Sequence, residues 1–244
     1  MTDPLNWTVQ EDDGHAVVTV RGHLDLAGSP RLRTALLKCL AEQPDALLVE
    51  LSAAEFADDT VFSLFTAVTR QAARWPGTPL LICAPAPEIA AMLGRGRYGR
   101  MPVYASVAEG RSAVADGRVV VPSISDQLLP IAGAVRHARN MATEACLRWN
   151  LPELVGPAAL VTSELVSNAV EHAGTTITVE FKRRTRHLHV MVRDGSTGEP
   201  IPRDPGAEAM PGRGLMLVSK IALQWGWLPT RDGKVVWAAL AVTP

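Results

Sequence analysis

Near its midpoint the chain changes rhythm. Residues 117–130, GRVVVPSISDQLLP, gather glycine, proline and serine between two stretches whose secondary-structure signals run in different orders. That break predicts a domain boundary, and it constrains the fold because each side must then close its own core. Before it, short strand and helix signals alternate. AVVTVRGHLDL (16–26) is strand-like, and Ser29-Pro30 supplies an N-cap and N1 pair for a helix through RLRTALLKCLAEQ. ALLVEL (46–51), TPLLICAP (78–85) and PVYAS (102–106) read as further strands, with helices over 58–75, 88–94 and 107–117 between them. The prediction for this half is an α/β arrangement, a mixed sheet with helices packed on it. After the break, two helices are expected at about 131–149 and 156–173. Two strands within 175–194, a short helix GLMLVSKIAL and two last strands (225–229, 234–242) follow. Helices first and strands after predict an α+β layer, helices on one face of an antiparallel sheet. The expected division is 1–117, a linker over 118–130, and 131–244; no internal repeat relates the halves.

Composition narrows the function classes. In 244 residues, 47% are hydrophobic and 20% charged, the balance of a folded globular chain. A net charge of −1 gives no reason to expect nucleic acid or an anionic membrane as partner. The cysteines, Cys39, Cys83 and Cys146, lie far apart in apolar runs and predict reduced core thiols rather than a metal site. The opening MTDPLNWTVQEDDGH lacks the pattern of a secretory signal, and no apolar run approaches the roughly 20 residues of a spanning helix. A cytoplasmic location is expected.

Within the second half, SELVSNAVEHA (163–173) sets Glu164 and Asn168 four residues apart, beside a core arc of Ala158, Val161, Leu165 and Ala169. Such a pair is either a solvated stripe or part of a site. Asp194 ends the strand LHVMVRD before the loop GSTGEPIP, and PGRGLMLV then opens a helix with glycines at 212 and 214. Glycines there let backbone N–H groups approach an anion that the helix dipole favours. His172 follows Asn168 by four residues, where it faces either a phosphate or the helix dipole. His187 and His189 alternate on a strand without a third ligand.

The ordered segments ELVSNAVEHA, VRDGSTG and GRGL resemble the GHKL ATPases, in particular the serine kinases that act as bacterial anti-sigma factors, over about residues 128–242. The resemblance implies a Bergerat-type sandwich of helices on an antiparallel sheet. It implies that Asn168 ligates Mg²⁺, that Glu164 is the general base, and that Asp194 receives the adenine amino group of ATP. Gly198, Gly212, Arg213, Gly214 and Leu215 then frame the phosphates, with the lid between Gly198 and Gly212. Two positions depart from the pattern: Ser196 stands for the first motif glycine, and Val235 for a threonine that many relatives carry near the adenine.

In the first half, VRGHLDLAGSPRLRTALL and LLVELSAAEFADDTVFSLFTA resemble the STAS domain of anti-sigma factor antagonists, over about residues 5–116. Asp58-Asp59-Thr60-Val61 stands where that family has an aspartate-serine-serine-glycine turn, so Thr60 holds the phosphoacceptor position. The same residues are good N-cap formers for the helix that follows. Together the two resemblances imply a partner-switching transcription regulator with a serine/threonine kinase-like module. Sigma factors, STAS-type antagonists, a PP2C-type phosphatase and a second copy of the chain are the implied partners. The alternative is a non-catalytic scaffold that holds such partners with or without nucleotide.

Overall fold

A computed structural model describes residues 3–94, 101–115, 121–200 and 214–242. The chain divides into two compact units, Met1–Val119 and Val120–Pro244. The first carries a five-stranded sheet in the order β1-β2-β3-β4-β5, made of β1 (Asn6–Asp12), β2 (His15–Leu24), β3 (Ala46–Phe56), β4 (Leu80–Cys83) and β5 (Val103–Tyr104). β1 pairs antiparallel with β2, and the remaining neighbours are parallel, so the sheet is mixed as expected. Helices α1 (Ser29–Ala41), α2 (Ser63–Arg74), α3 (Pro87–Gly94) and α4 (Val107–Ala115) intervene. The parallel strands are apolar runs, as strands covered on both faces require; Leu47, Leu48 and Val49 in succession are fully buried. The α1 cap differs from the expected one. Gly28 holds the cap position, its N–H donating to Asp25 Oδ1 at 2.7 Å, while Ser29 is already helical and donates its hydroxyl to the Asp25 carbonyl.

The second unit holds the sheet β6-β7-β8-β10-β9, formed by β6 (Ser123–Leu128), β7 (Ile177–Arg183), β8 (His187–Asp194), β9 (Gln224–Pro229) and β10 (Lys234–Ala241), every neighbouring pair antiparallel. The helices are α5 (Ala134–Arg148), α6 (Val155–His172) and α7 (Gly214–Ile221). Ala138, Ala142 and Ala145 of α5 are small enough to let α6 approach closely, where Ala158, Val161 and Leu165 meet them. Val179, Phe181, Val190, Val192, Val236 and Ala238 complete that core from one face of the sheet.

Two strands were not foreseen. The segment 118–130, read above as a linker, contains β6, which pairs residue by residue with β7 from Ser123↔Lys182 to Leu128↔Ile177. β1 lies in the amino-terminal stretch to which no element was assigned. Both are terminal strands of their sheets and both are largely exposed. Polar residues outnumber apolar ones in both, and in β6 only Ile124 and Leu128, with Asp126 between them, carry the core-facing pattern. All three cysteines are buried and none is in a disulfide, and burial pushes the Cys83 and Cys146 thiols up to about 11. Among the described residues no helix is long and apolar enough to cross a membrane.

Candidate functional site

The helix α6 contributes Leu165, Asn168, Ala169, Glu171 and His172 to the wall of a cavity in the second unit. The cavity is about 290 Å³ in volume, near the lower end of the range of small-molecule sites. Asn168, His172, Asp194, Ser196, Leu215 and Lys234 are among its lining residues. Four segments far apart in sequence therefore meet: the carboxy-terminal turns of α6, the β8 end with its loop, the α7 start and the β10 start. Gly198 also lines it, as do Glu171 and Glu199.

Asp194 is held at the end of β8 by its own loop. Its Oδ1 accepts the Ser196 N–H at 2.8 Å, Ser196 Oγ accepts the Gly198 N–H at 3.3 Å, and Thr175 Oγ1 accepts the Gly195 N–H at 2.8 Å. The hydroxyl of Ser196 thus closes a turn that the glycine of the motif would leave to the backbone alone. Asp194 is 5% exposed, a buried carboxylate that needs a partner. The partner is Lys234, the cross-strand neighbour of Asp194 on β10, with Nζ 2.9 Å from Oδ1 and 3.2 Å from the Ser196 carbonyl oxygen. Gly233 allows this approach: a Cβ there would lie 2.0 Å from the Asp194 carbonyl oxygen and 2.6 Å from Gly195 Cα.

Glu164 lies one turn before Asn168 on α6, half-buried, and is not among the cavity-lining residues. It packs instead at the start of α7, where a Cβ on Gly214 would fall 2.6 Å from Glu164 Oε2 and 3.6 Å from Asn168 Nδ2. A carboxylate near a helix N-terminus is electrostatically favoured. Of the residues singled out in the sequence, Asn168, Asp194, Gly198 and Leu215 border one cavity, and Glu164 and Gly214 adjoin it. Gly212, Arg213 and the lid from residue 201 onward lie outside the described residues.

The expected match of Val235 to the adenine-side position is corrected. Strand alternation turns Val235 away, and Lys234 and Val236 are the β10 residues that line the cavity. Lys234 was missed because a lysine opening an apolar strand reads as a solvent-facing end. Only its register opposite Asp194 reveals it. His172, for which two readings stood open, is among the lining residues.

Thr60 belongs to the first unit. It is exposed in a 3-10 turn, Asp59–Phe62, between β3 and α2. Asp58 caps the turn: its Oδ1 accepts the Thr60 N–H at 2.8 Å and also the Thr60 hydroxyl. These bonds hold the Asp58 carboxyl below the ordinary carboxylate range. The capping role read from the sequence therefore falls on Asp58, with the threonine hydroxyl at the surface of the turn.

Comparison with known proteins gives two family matches. Residues 7–101 match a family model described as Mlab, STAS domain, and residues 131–240 match one described as histidine kinase-like ATPase domain. A curated relative, the anti-sigma-F factor antagonist RsfB of Mycobacterium tuberculosis, is 30% identical over 69 residues, 28% of this chain and 57% of the relative. The chain thus spans little more than half the length of that relative. A solved anti-sigma factor antagonist from Mycobacterium paratuberculosis is 26% identical, covering 46% of this chain and 96% of its own, with a TM-score of 0.39. The solved antagonist SpoIIAA in its unphosphorylated form is 13% identical, covering 47% of this chain and 100% of its own, with a TM-score of 0.37.

Proposed function

From a chain that carries a STAS domain followed by a histidine kinase-like ATPase domain, we propose a partner-switching regulator whose second domain binds ATP and phosphorylates a serine or threonine of a STAS-type protein. The observation that carries this reading is the meeting of Asn168, Asp194, Ser196 and Leu215 around one cavity. Asn168 offers an amide oxygen, a donor of the kind Mg²⁺ accepts while keeping waters. The residues therefore fit the metal–nucleotide pair, with Asn168 as the protein ligand. When bound, that pair supplies the transferable phosphoryl group and a divalent charge to offset its oxygens.

The remaining work falls to the chain itself. Asp194 fixes the base end of the site, because its loop and Lys234 hold its carboxylate in place. Glu164, beside the α7 start, accepts the proton of the incoming hydroxyl. Leu215 and Val236 give the cavity an apolar wall that excludes water from the base. The acceptor is a hydroxyl in an exposed turn of a STAS domain, and Thr60 of this chain is one candidate. A phosphate ester formed there is kinetically persistent, so its removal calls for a phosphatase, of the PP2C type on the family resemblance.

Incubation with Mg-ATP and STAS-domain substrates, including the chain itself, tests the reading. Phosphoprotein should form, and Glu164→Ala should lower its rate by about 10²- to 10⁴-fold while leaving Mg-ADP binding intact. Absence of phosphoprotein in every combination overturns it. Thr60→Ala removes any incorporation that occurs in cis. A second reading, a scaffold that binds nucleotide and partners without transfer, is favoured by one observation: Glu164 is not among the residues lining the cavity. Binding of Mg-ADP without turnover selects it.

A further inference from the structure

Resting on the reading of this cavity as a nucleotide site, we propose that Lys234 is a second base-reading residue. Its ammonium donates to N1 of an adenine while the Asp194 carboxylate accepts from the neighbouring exocyclic amine. An ammonium carries three protons and no acceptor. Two of those of Lys234 are engaged, by Asp194 Oδ1 and by the Ser196 carbonyl oxygen. On the other side of the pair, the hydrogen bonds to Asp194 from described residues both fall on Oδ1, and Oδ2 accepts none from them. Each member therefore keeps one unused hydrogen-bonding position.

Both members line the cavity although their side chains are only 8% and 3% exposed. A pair that served the sheet alone would be sealed behind apolar side chains. This one forms part of the cavity wall, where the remaining donor and acceptor are available to a ligand that supplies their complements. The complement is a planar edge with a ring acceptor beside an N–H donor. Adenine has that edge in N1 and its 6-amino group. Guanine has the reverse order, an oxygen where the amine would meet the carboxylate and an N–H facing the ammonium, so it is rejected. Because Lys234 already touches Asp194, the adenine joins the pair rather than displacing either charge from its partner.

Titration calorimetry of the full chain with Mg-ADP, Mg-GDP and Mg-1-deaza-ADP, in which a C–H replaces N1, tests the assignment. The wild-type chain should bind 1-deaza-ADP about 10- to 100-fold more weakly than ADP, the effect of one hydrogen bond from a charged donor. GDP should be weaker still. In Lys234→Met the two adenine nucleotides should bind alike. Equal binding of ADP and 1-deaza-ADP by the wild-type chain overturns the role of Lys234 and leaves the nucleotide site standing, and tighter binding of GDP than ADP does the same. Absence of binding by all three overturns the nucleotide site itself. The wild-type comparison decides even where Lys234→Met, which strips a buried carboxylate of its partner, fails to fold.

Discussion

An added methyl at position 214 would sit 2.6 Å from Glu164 Oε2 and 3.4 Å from Glu164 Cβ. The nearest atom is the free end of a flexible side chain, so Gly214→Ala should fold with a thermal midpoint near that of the wild-type chain. It should nevertheless displace the carboxylate, and a shift of about 1 Å in a catalytic group is worth on the order of 10²-fold in rate. A phosphoryl-transfer assay alongside thermal denaturation separates the two effects. His189 is governed by burial instead. It is 4% exposed, its ring stacks 6.0 Å from that of His187, and Nδ1 has no hydrogen-bond partner among the described residues. Burial first, then the charges of Arg184, His187 and Lys182, push its pKa down to about 4. The unfolded chain takes up this proton near pH 6.5 and the folded one does not, so stability is lost as pH falls from about 6.5 towards 4. The loss is on the order of 3 kcal/mol over that window. Urea midpoints for His189→Leu should change less between pH 7 and pH 5 than those of the wild-type chain.

At the scale of elements, the β8–β10 pairing does most to shape the cavity. Its register sets Lys234 opposite Asp194 and Val236 opposite Val192, which turns Lys234 and Val236 inward and Val235 outward. Gly233 is the hinge of that arrangement, and here the obstacle to a side chain is backbone rather than a mobile tip. Gly233→Ala should therefore cost about 1–3 kcal/mol or more, as overpacking does. It should also weaken nucleotide binding by moving Lys234. Chemical denaturation and calorimetry on the same variant report both. The interior strands were legible because burial on one or both faces imposes a pattern on their residues. The edge strands β1 and β6 were not, because polar residues outnumber apolar ones in both.

For the whole molecule, the two compact units meet in sequence at Val119–Val120, ahead of β6. Although Gly, Pro and Ser signal a break across 117–130, its carboxy-terminal part belongs to the second sheet. Leu128 even enters the second core. A fragment beginning at residue 120 should therefore fold as a stable unit. One beginning at 131 leaves the β7 edge unpaired and loses Leu128, and it should be less stable and more prone to associate. Denaturation midpoints and light scattering of the two fragments check this directly.

From the sequence alone come the order of elements, the two kinds of sheet, the buried cysteines and the three motif segments, because periodicity and turn chemistry are local properties of the chain. Asn168, Asp194, Gly198 and Leu215 were named from the resemblance those segments carry, and they border one cavity. What only the tertiary structure decided is which charges meet. The Lys234–Asp194 pair and the packing of Glu164 at the start of α7 depend on strand register and helix docking. Those relations join residues tens of positions apart, and no local pattern encodes them.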